Sequence, residues 1–319
     1  MSRLALLAAL IALAPLPIAF RGPAPGVTAV PVPLAPQDLA RTQVGRLRYL
    51  GGWVLHGTER RFGGISSMTM EHGRFTMLSD TGVVTRFQFA GSGPVADYSS
   101  ALLPDGPGDG TRKIDRDSES STYDPVSRHV WAGFETRNEI WRYTEGFAQA
   151  DGHVAPAAMA DWPGNEGPEA MVRLHDGRFL VFAETATRKD GSHVVLLFPG
   201  DPVTGVKPIE FGYDGPKDFA PTDAAELPDG RVVILHRRFS VLAGFAAALT
   251  VIDPRQIRPG ATIAGTPIAT IAPPLTVDNM EALAIEQRGG QTVLWIASDD
   301  NFFVAQRTLL MEFALPEGF

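Results

Sequence analysis

The 319-residue chain contains no cysteine. Disulfides, thiolate nucleophiles and Cys-ligated zinc or iron–sulfur centres are thereby excluded, and any metal must rest on oxygen or imidazole. Imidazole is itself sparse: the histidines at 56, 72, 129, 153, 175, 193 and 236 show neither H-x-H nor H-x-x-x-H spacing, so a histidine metal centre has no motif behind it. A G-x-S-x-G nucleophile elbow is missing. The glycine pairs Gly108/Gly110 and Gly289/Gly290 are turn glycines with no phosphate-loop context. Nowhere do five like charges run together, and 28 basic against 36 acidic residues leave a net charge of −8. That balance argues against a nucleic-acid partner.

The N-terminus is distinctive. Arg3 precedes the apolar run Leu4–Ala14, and Pro15 and Pro17 then end any helix. The run falls short of the ~20 residues that a spanning helix needs, so residues 1–21 are expected to be a signal peptide, with a short uncleaved anchor as the alternative. Export to the periplasm or beyond follows. Prolines at 23, 25, 31, 33 and 36 make residues 22–43 an expected extended spacer, leaving 44–319 as a single folded domain.

What the body does have is 33 Gly and 26 Pro, 44% apolar residues, and a repeat. A short strand, a turn and a second, more apolar strand recur five times, with Asp176-Gly177 and Asp229-Gly230 at two of the turns and Gly289-Gly290 at another. Asp-Gly between β-rich runs is a strong hairpin signal. A third strand follows each hairpin, as in Ile140–Tyr143 and Val194–Phe198. Copies start roughly 50 to 60 residues apart, the period of propeller blades. The fold class read from this is all-β, a β-propeller of five to seven blades with six favoured, the sixth assembled from a strand near Leu47–Leu55 and other segments.

Equivalent positions of propeller repeats form rings about one axis, and two such columns are polar. Glu119, Glu169, Asp223 and Glu281 stand at the start of the repeat; Asp80, Glu135, Glu184, Arg237 and Asp299 stand at the end of the second strand. Such acids can bond to the backbone of the next blade and tie the ring together. They can also converge at the channel mouth, where like charges raise one another's pKa or are compensated by a cation, and an oxygen-only cluster suits Ca²⁺ or Mg²⁺. Arg237 offers a fork to phosphate or carboxylate, or to a neighbouring acid.

Several of these segments, with the stretches around them, resemble one family. Phe62–Ser66, Leu78-Ser79-Asp80, Asp117-Ser118-Glu119, Asn165–Glu169, Asp223 through Phe239, Asp278–Glu281 and above all Ser298–Phe302 with Gln306-Arg307 are similar to the bacterial "esterase-like activity of phytase" domain, over roughly residues 45–316. The resemblance implies an exported propeller acting on a small-molecule phosphate ester. It implies Glu119, Glu169, Glu281, Asp299 and Arg237 as catalytic positions, and Asp80, Glu135, Glu184, Asp223, Asp300 and Asn301 as metal ligands. Two departures stand out: Ser120-Ser121 follows Glu119 where the family has glycine, and His236 replaces the acid common before Arg237. Two rival functions share the fold: a calcium-dependent lactonase or ester hydrolase, and a non-catalytic cell-envelope binding module.

Overall fold

The structure, a computed structural model, describes residues 24–164 and 167–319. The expected signal or anchor segment over 1–21 lies outside them, as do Asn165 and Glu166. Among the described residues there are 24 strands, five single 3₁₀ turns and no α-helix. No helix among the described residues is long and apolar enough to cross a membrane.

The strands form five sheets. Their innermost strands are Ile65–Glu71, Ser118–Tyr123, Pro168–Arg173, Ala220–Glu226 and Asn279–Arg288, and each contacts the next until the last meets the first. The fold is therefore a closed ring, a β-propeller of five blades, here numbered 1 to 5 in that order. Within each blade the chain runs outward through antiparallel neighbours; in blade 3 these are Phe179–Thr187, His193–Phe198 and Ile209–Asp214.

The count is five where six was favoured, because the strand assigned to a sixth blade closes the fifth. Leu47–Gly57 pairs antiparallel with Leu309–Ala314, so the N-terminal strand supplies the outer strand of the C-terminal blade. The Pro-rich stretch is likewise no free spacer. Val27–Pro31 is extended, as its composition favours, but it pairs along Leu47–Gly57, and Leu34 and Ala35 are fully buried. Folded structure thus begins well before Val44.

Strands such as Val130–Phe134 are buried along their whole length, because every blade is covered on both faces by its neighbours; this removes the in/out alternation of a one-sided sheet. There is no central core. Five apolar clusters each fill one blade-to-blade interface. Phe75, Met77 and Phe87 of blade 1 meet Val293 and Trp295 of blade 5, and Leu235 and Leu249 of blade 4 meet Leu283 and Met311. Trp131 of blade 2 packs edge-on to Phe179 of blade 3, ring centres 5.0 Å apart. Polar side chains tie the inner strands to one another: Ser67 Oγ donates to Ser121 Oγ at 2.8 Å, Ser120 Oγ to the Pro168 carbonyl at 2.6 Å, and Thr222 Oγ1 to the Met280 carbonyl at 3.2 Å.

Candidate functional site

Every inner strand carries a bulge near its start. The register with the second strand skips one residue in each blade, and the skipped residues are Ser66, Glu119, Glu169, Thr222 and Glu281. A bulged residue has no partner across the ladder, and the local kink re-aims its side chain. The repetition places five side chains in one ring at one end of the channel. One residue further along the second strands' course, Asp80, Glu135, Glu184, Arg237 and Asp299 reach the same end, since Ser79, Phe134, Ala183, His236 and Ser298 pair beside the bulges.

Glu119, Glu169 and Glu281 of the first ring and all five residues of the second line an open cavity of about 380 Å³, together with Lys113, Asn279, Asn301, Phe239 and Phe245. Nine of the eleven expected site residues come together there: Glu119, Glu169, Glu281, Asp299, Arg237, Asp80, Glu135, Glu184 and Asn301. Two do not. The bulge puts Thr222, and not Asp223, in register with the ring glutamates. Asp223 instead accepts from the Leu283 amide at 2.6 Å and the Ala224 amide at 2.8 Å, joining blade 4 to blade 5. Asp300 faces the adjoining loop, taking the Gly64 amide at 2.9 Å and Thr308 Oγ1 at 2.9 Å. The tying role considered for the acids falls to Asp223 alone of that column.

Lys113, Asp117 and Asn279 belong to the site without standing among its expected members. Lys113 Nζ lies 2.9 Å from both Asp80 Oδ2 and Asp117 Oδ1; it arrives on the connection between blades 1 and 2, outside the repeat. Its spacing four residues before Asp117 was the available signal. Arg237 is held in the same manner, Nη2 2.9 Å from Glu184 Oε1 and Nε 2.6 Å from Glu281 Oε1.

Eight carboxylates (Asp80, Asp117, Glu119, Glu135, Glu169, Glu184, Glu281 and Asp299) thus share two cations, each already clamped between two acids. The surplus is written in their protonation. Burial, then the charges of Glu169 and Glu135, push Glu119 well above the ordinary carboxylate range; burial, then Glu184 and Glu281, do the same to Glu169. Burial pushes Glu281 up to about 8 against the pull of Arg237. Glu135 rises to about 8, through burial and its hydrogen bond with Asp117. Asp299 rises to about 7, burial again leading.

A cation fits this donor set. Asp117, Glu119 and Glu135 each offer an oxygen within 4.8 Å of the others, and Asp80 Oδ1 and Asn279 Oδ1 are buried acceptors without a hydrogen-bond partner among the described residues. Carboxylate and carbonyl oxygens are the ligands of hard divalent ions. His236 takes no part. It is fully buried, with Nε2 2.8 Å from Tyr213 Oη, and burial lowers its pKa to about 3, so it is a neutral core histidine.

Residues 60–302 match the family model described as "Phytase-like: Esterase-like activity of phytase". The chain belongs to this family. The match takes in both rings of the site and the Ser298–Phe302 segment. A comparison with curated proteins finds no match. Among solved structures, similar ones include the Myxococcus xanthus glutaminyl cyclase (11% identity, 86% of this chain and 100% of that one, TM-score 0.48) and the β-propeller domain of Myceliophteria thermophila Cps50 (Swd1) (10%, 92% and 100%, 0.37). Hydrazine synthase of Kuenenia stuttgartiensis is a third (11%, 76% of this chain, 0.38), and this chain spans 58% of its length. None of these identities extends to an activity.

Proposed function

We propose that this phytase-like propeller is a metal-assisted ester hydrolase, with a phosphate ester as its substrate. The observation that carries the reading is the cavity of seven carboxylates, with Asp117 beside Glu119 and Glu135, two clamped cations and two orphan acceptor oxygens. In this reading Asp117, Glu119, Glu135 and Asp80 hold Ca²⁺ or Mg²⁺, with Asn279 and Asn301 at the edge of the site. A bound divalent ion supplies Lewis acidity toward a phosphoryl or carbonyl oxygen and offsets the negative field that repels an anionic substrate. Glu281 and Asp299, with pKa values raised to about 8 and about 7, can hold or release a proton near neutrality, the range in which general acid–base catalysis is most effective. Arg237 orients Glu184 and Glu281 and presents its guanidinium edge to the cavity. Export, inferred from residues 1–21, belongs to the same proposal.

One observation favours a second reading. Both cations are already engaged by carboxylates, so an uncharged lactone or aryl ester would enter the cavity with less electrostatic opposition than a phosphate ester. The deciding experiment incubates the purified protein with p-nitrophenyl phosphate, p-nitrophenyl acetate and a γ-lactone, after chelation and after adding back Ca²⁺ or Mg²⁺. Phosphate release restored by one ion supports the first reading, and turnover of the uncharged esters alone supports the second. Full phosphatase activity after exhaustive chelation would sink the metal-assisted mechanism, and no turnover of any substrate would leave a binding propeller.

A further inference from the structure

Exposed large apolar side chains gather on one part of this protein. Of twelve such described residues, six lie on two connections: Phe239, Val241 and Leu242 on the hairpin of blade 4, and Phe302, Phe303 and Val304 on that of blade 5. Both connections leave the second strands at the end where the carboxylate cavity opens, and the blades are adjacent. Val241, Leu242 and Val304 are 90%, 98% and 97% exposed. Hairpin tips ordinarily carry Gly, Asn, Asp or Ser, and aliphatic side chains this exposed give no folding stability.

The presentation is built. Asp300 Oδ1 accepts from the Phe302 amide at 3.1 Å and from Gly64 N at 2.9 Å, and its carbonyl accepts from Phe303 N at 2.7 Å. Beneath the other tip, Phe239 and Phe245 pack together with ring centres 4.8 Å apart. The chain also enters the fold at this end and on this blade. Val27 stands opposite Gly57 on the outer strand of blade 5, and Gly26 and Thr58 bond mutually at the mouth side. The sequence leading to that point holds the apolar run Leu4–Ala14.

We propose that the mouth-side rim of blades 4 and 5 is a lipid-docking surface. The tips of both hairpins enter the headgroup–acyl boundary, on the same side from which the N-terminal segment departs, and the carboxylate cavity opens toward the bilayer. Insertion of exposed aliphatic and aromatic tips is driven by the apolar area removed from water. The acidic surplus of the neighbouring cavity repels anionic headgroups, so a zwitterionic surface is the partner that fits. The proposal stands whether or not the cavity is catalytic.

Absence of cysteine makes the test direct. Single-cysteine variants of the full chain, Leu242→Cys, Val304→Cys and, at the opposite end of the channel, Val126→Cys, are labelled with a polarity-sensitive fluorophore. They are then mixed with phosphatidylcholine vesicles. Labels at 242 and 304 should shift to the blue and lose most of their iodide quenching as they leave water, while the label at 126 stays as quenchable as in buffer. Leu242→Ser with Val304→Ser, its melting temperature checked, should abolish the blue shift of a label at 239. Labels at 242 and 304 that remain as quenchable as at 126 overturn the proposal. So does shielding that appears without vesicles and grows with protein concentration, which would make the patch an interface between copies of the chain.

Discussion

Glu281 provides the sharpest test of the claim that too many carboxylates share too few cations. Its pKa is raised from 4.5 to about 8 by burial. Between those values the native chain keeps a proton that the unfolded chain has released, so stability falls as pH rises. The contribution is fully present below the unfolded value and is gone once pH passes the folded one. A difference of one unit is worth about 1.4 kcal/mol, so Glu281 alone accounts for at most about 5 kcal/mol across the window. His236 works in the opposite sense. Lowered from 6.5 to about 3, it costs stability as pH falls below its unfolded value. The measurement therefore belongs between about pH 7 and 7.5, where unfolded histidine is mostly neutral. Urea unfolding of the chelated protein across that interval should give a stability that declines with pH. In Glu281→Gln, which has no proton to hold, the decline should be shallower by about 1.4 kcal/mol per pH unit. Asp299 and Glu135, raised to about 7 and about 8, leave the variant a residual slope of the same sign. Equal slopes in the two proteins, or a wild-type stability that rises with pH, would refute the reasoning.

Adding Ca²⁺ or Mg²⁺ to the chelated protein should raise its melting temperature, by the equivalent of about 2.7 kcal/mol at a hundred times Kd, and Glu119→Gln should remove that response in differential scanning calorimetry. Asp223→Ala should cost about 3 kcal/mol in urea unfolding, since the buried Leu283 and Ala224 amides lose their acceptor. Because Asp223 stands outside the cavity, the same variant should bind the ion with unchanged affinity in calorimetric titration; a large loss of affinity would return it to the site. Gly64 has φ +61°, and a methyl group there would lie 2.4 Å from Asp80 Oδ1 and 2.5 Å from Phe302. Gly64→Ala should therefore both destabilise the fold and weaken ion binding about tenfold or more, and unchanged affinity would separate Asp80 from the ion site.

The repeating hairpins were legible in the chain because turn chemistry is local: Asp176-Gly177 and Asp229-Gly230 announce their turns whatever surrounds them. So was the ring formed by Asp80, Glu135, Glu184, Arg237 and Asp299, since each stands at the end of the apolar run of a second strand. The other ring was misread at one place for a definable reason. A bulge adds a residue without altering composition, so counting along the strand put Asp223 where the ladder puts Thr222. Blade number also depended on tertiary structure, because nothing local in Leu47–Gly57 states that its partner is Leu309–Ala314, some 250 residues away.

The sequence by itself determined the class of fold, the absence of sulfur ligands from any metal site and most of the acids that gather in the cavity, because these follow from composition and short-range period. Only the tertiary structure decided which carboxylates converge. Lys113 and Asp117 come from a connection outside the repeat, and Asp300 was drawn away by the Gly64 amide. Closing the ring brought eight acids to one mouth and gave them two cations. Their raised pKa values, and the cavity's capacity for a divalent ion, are properties of that convergence, since burial and mutual repulsion exist only once the five blades have met.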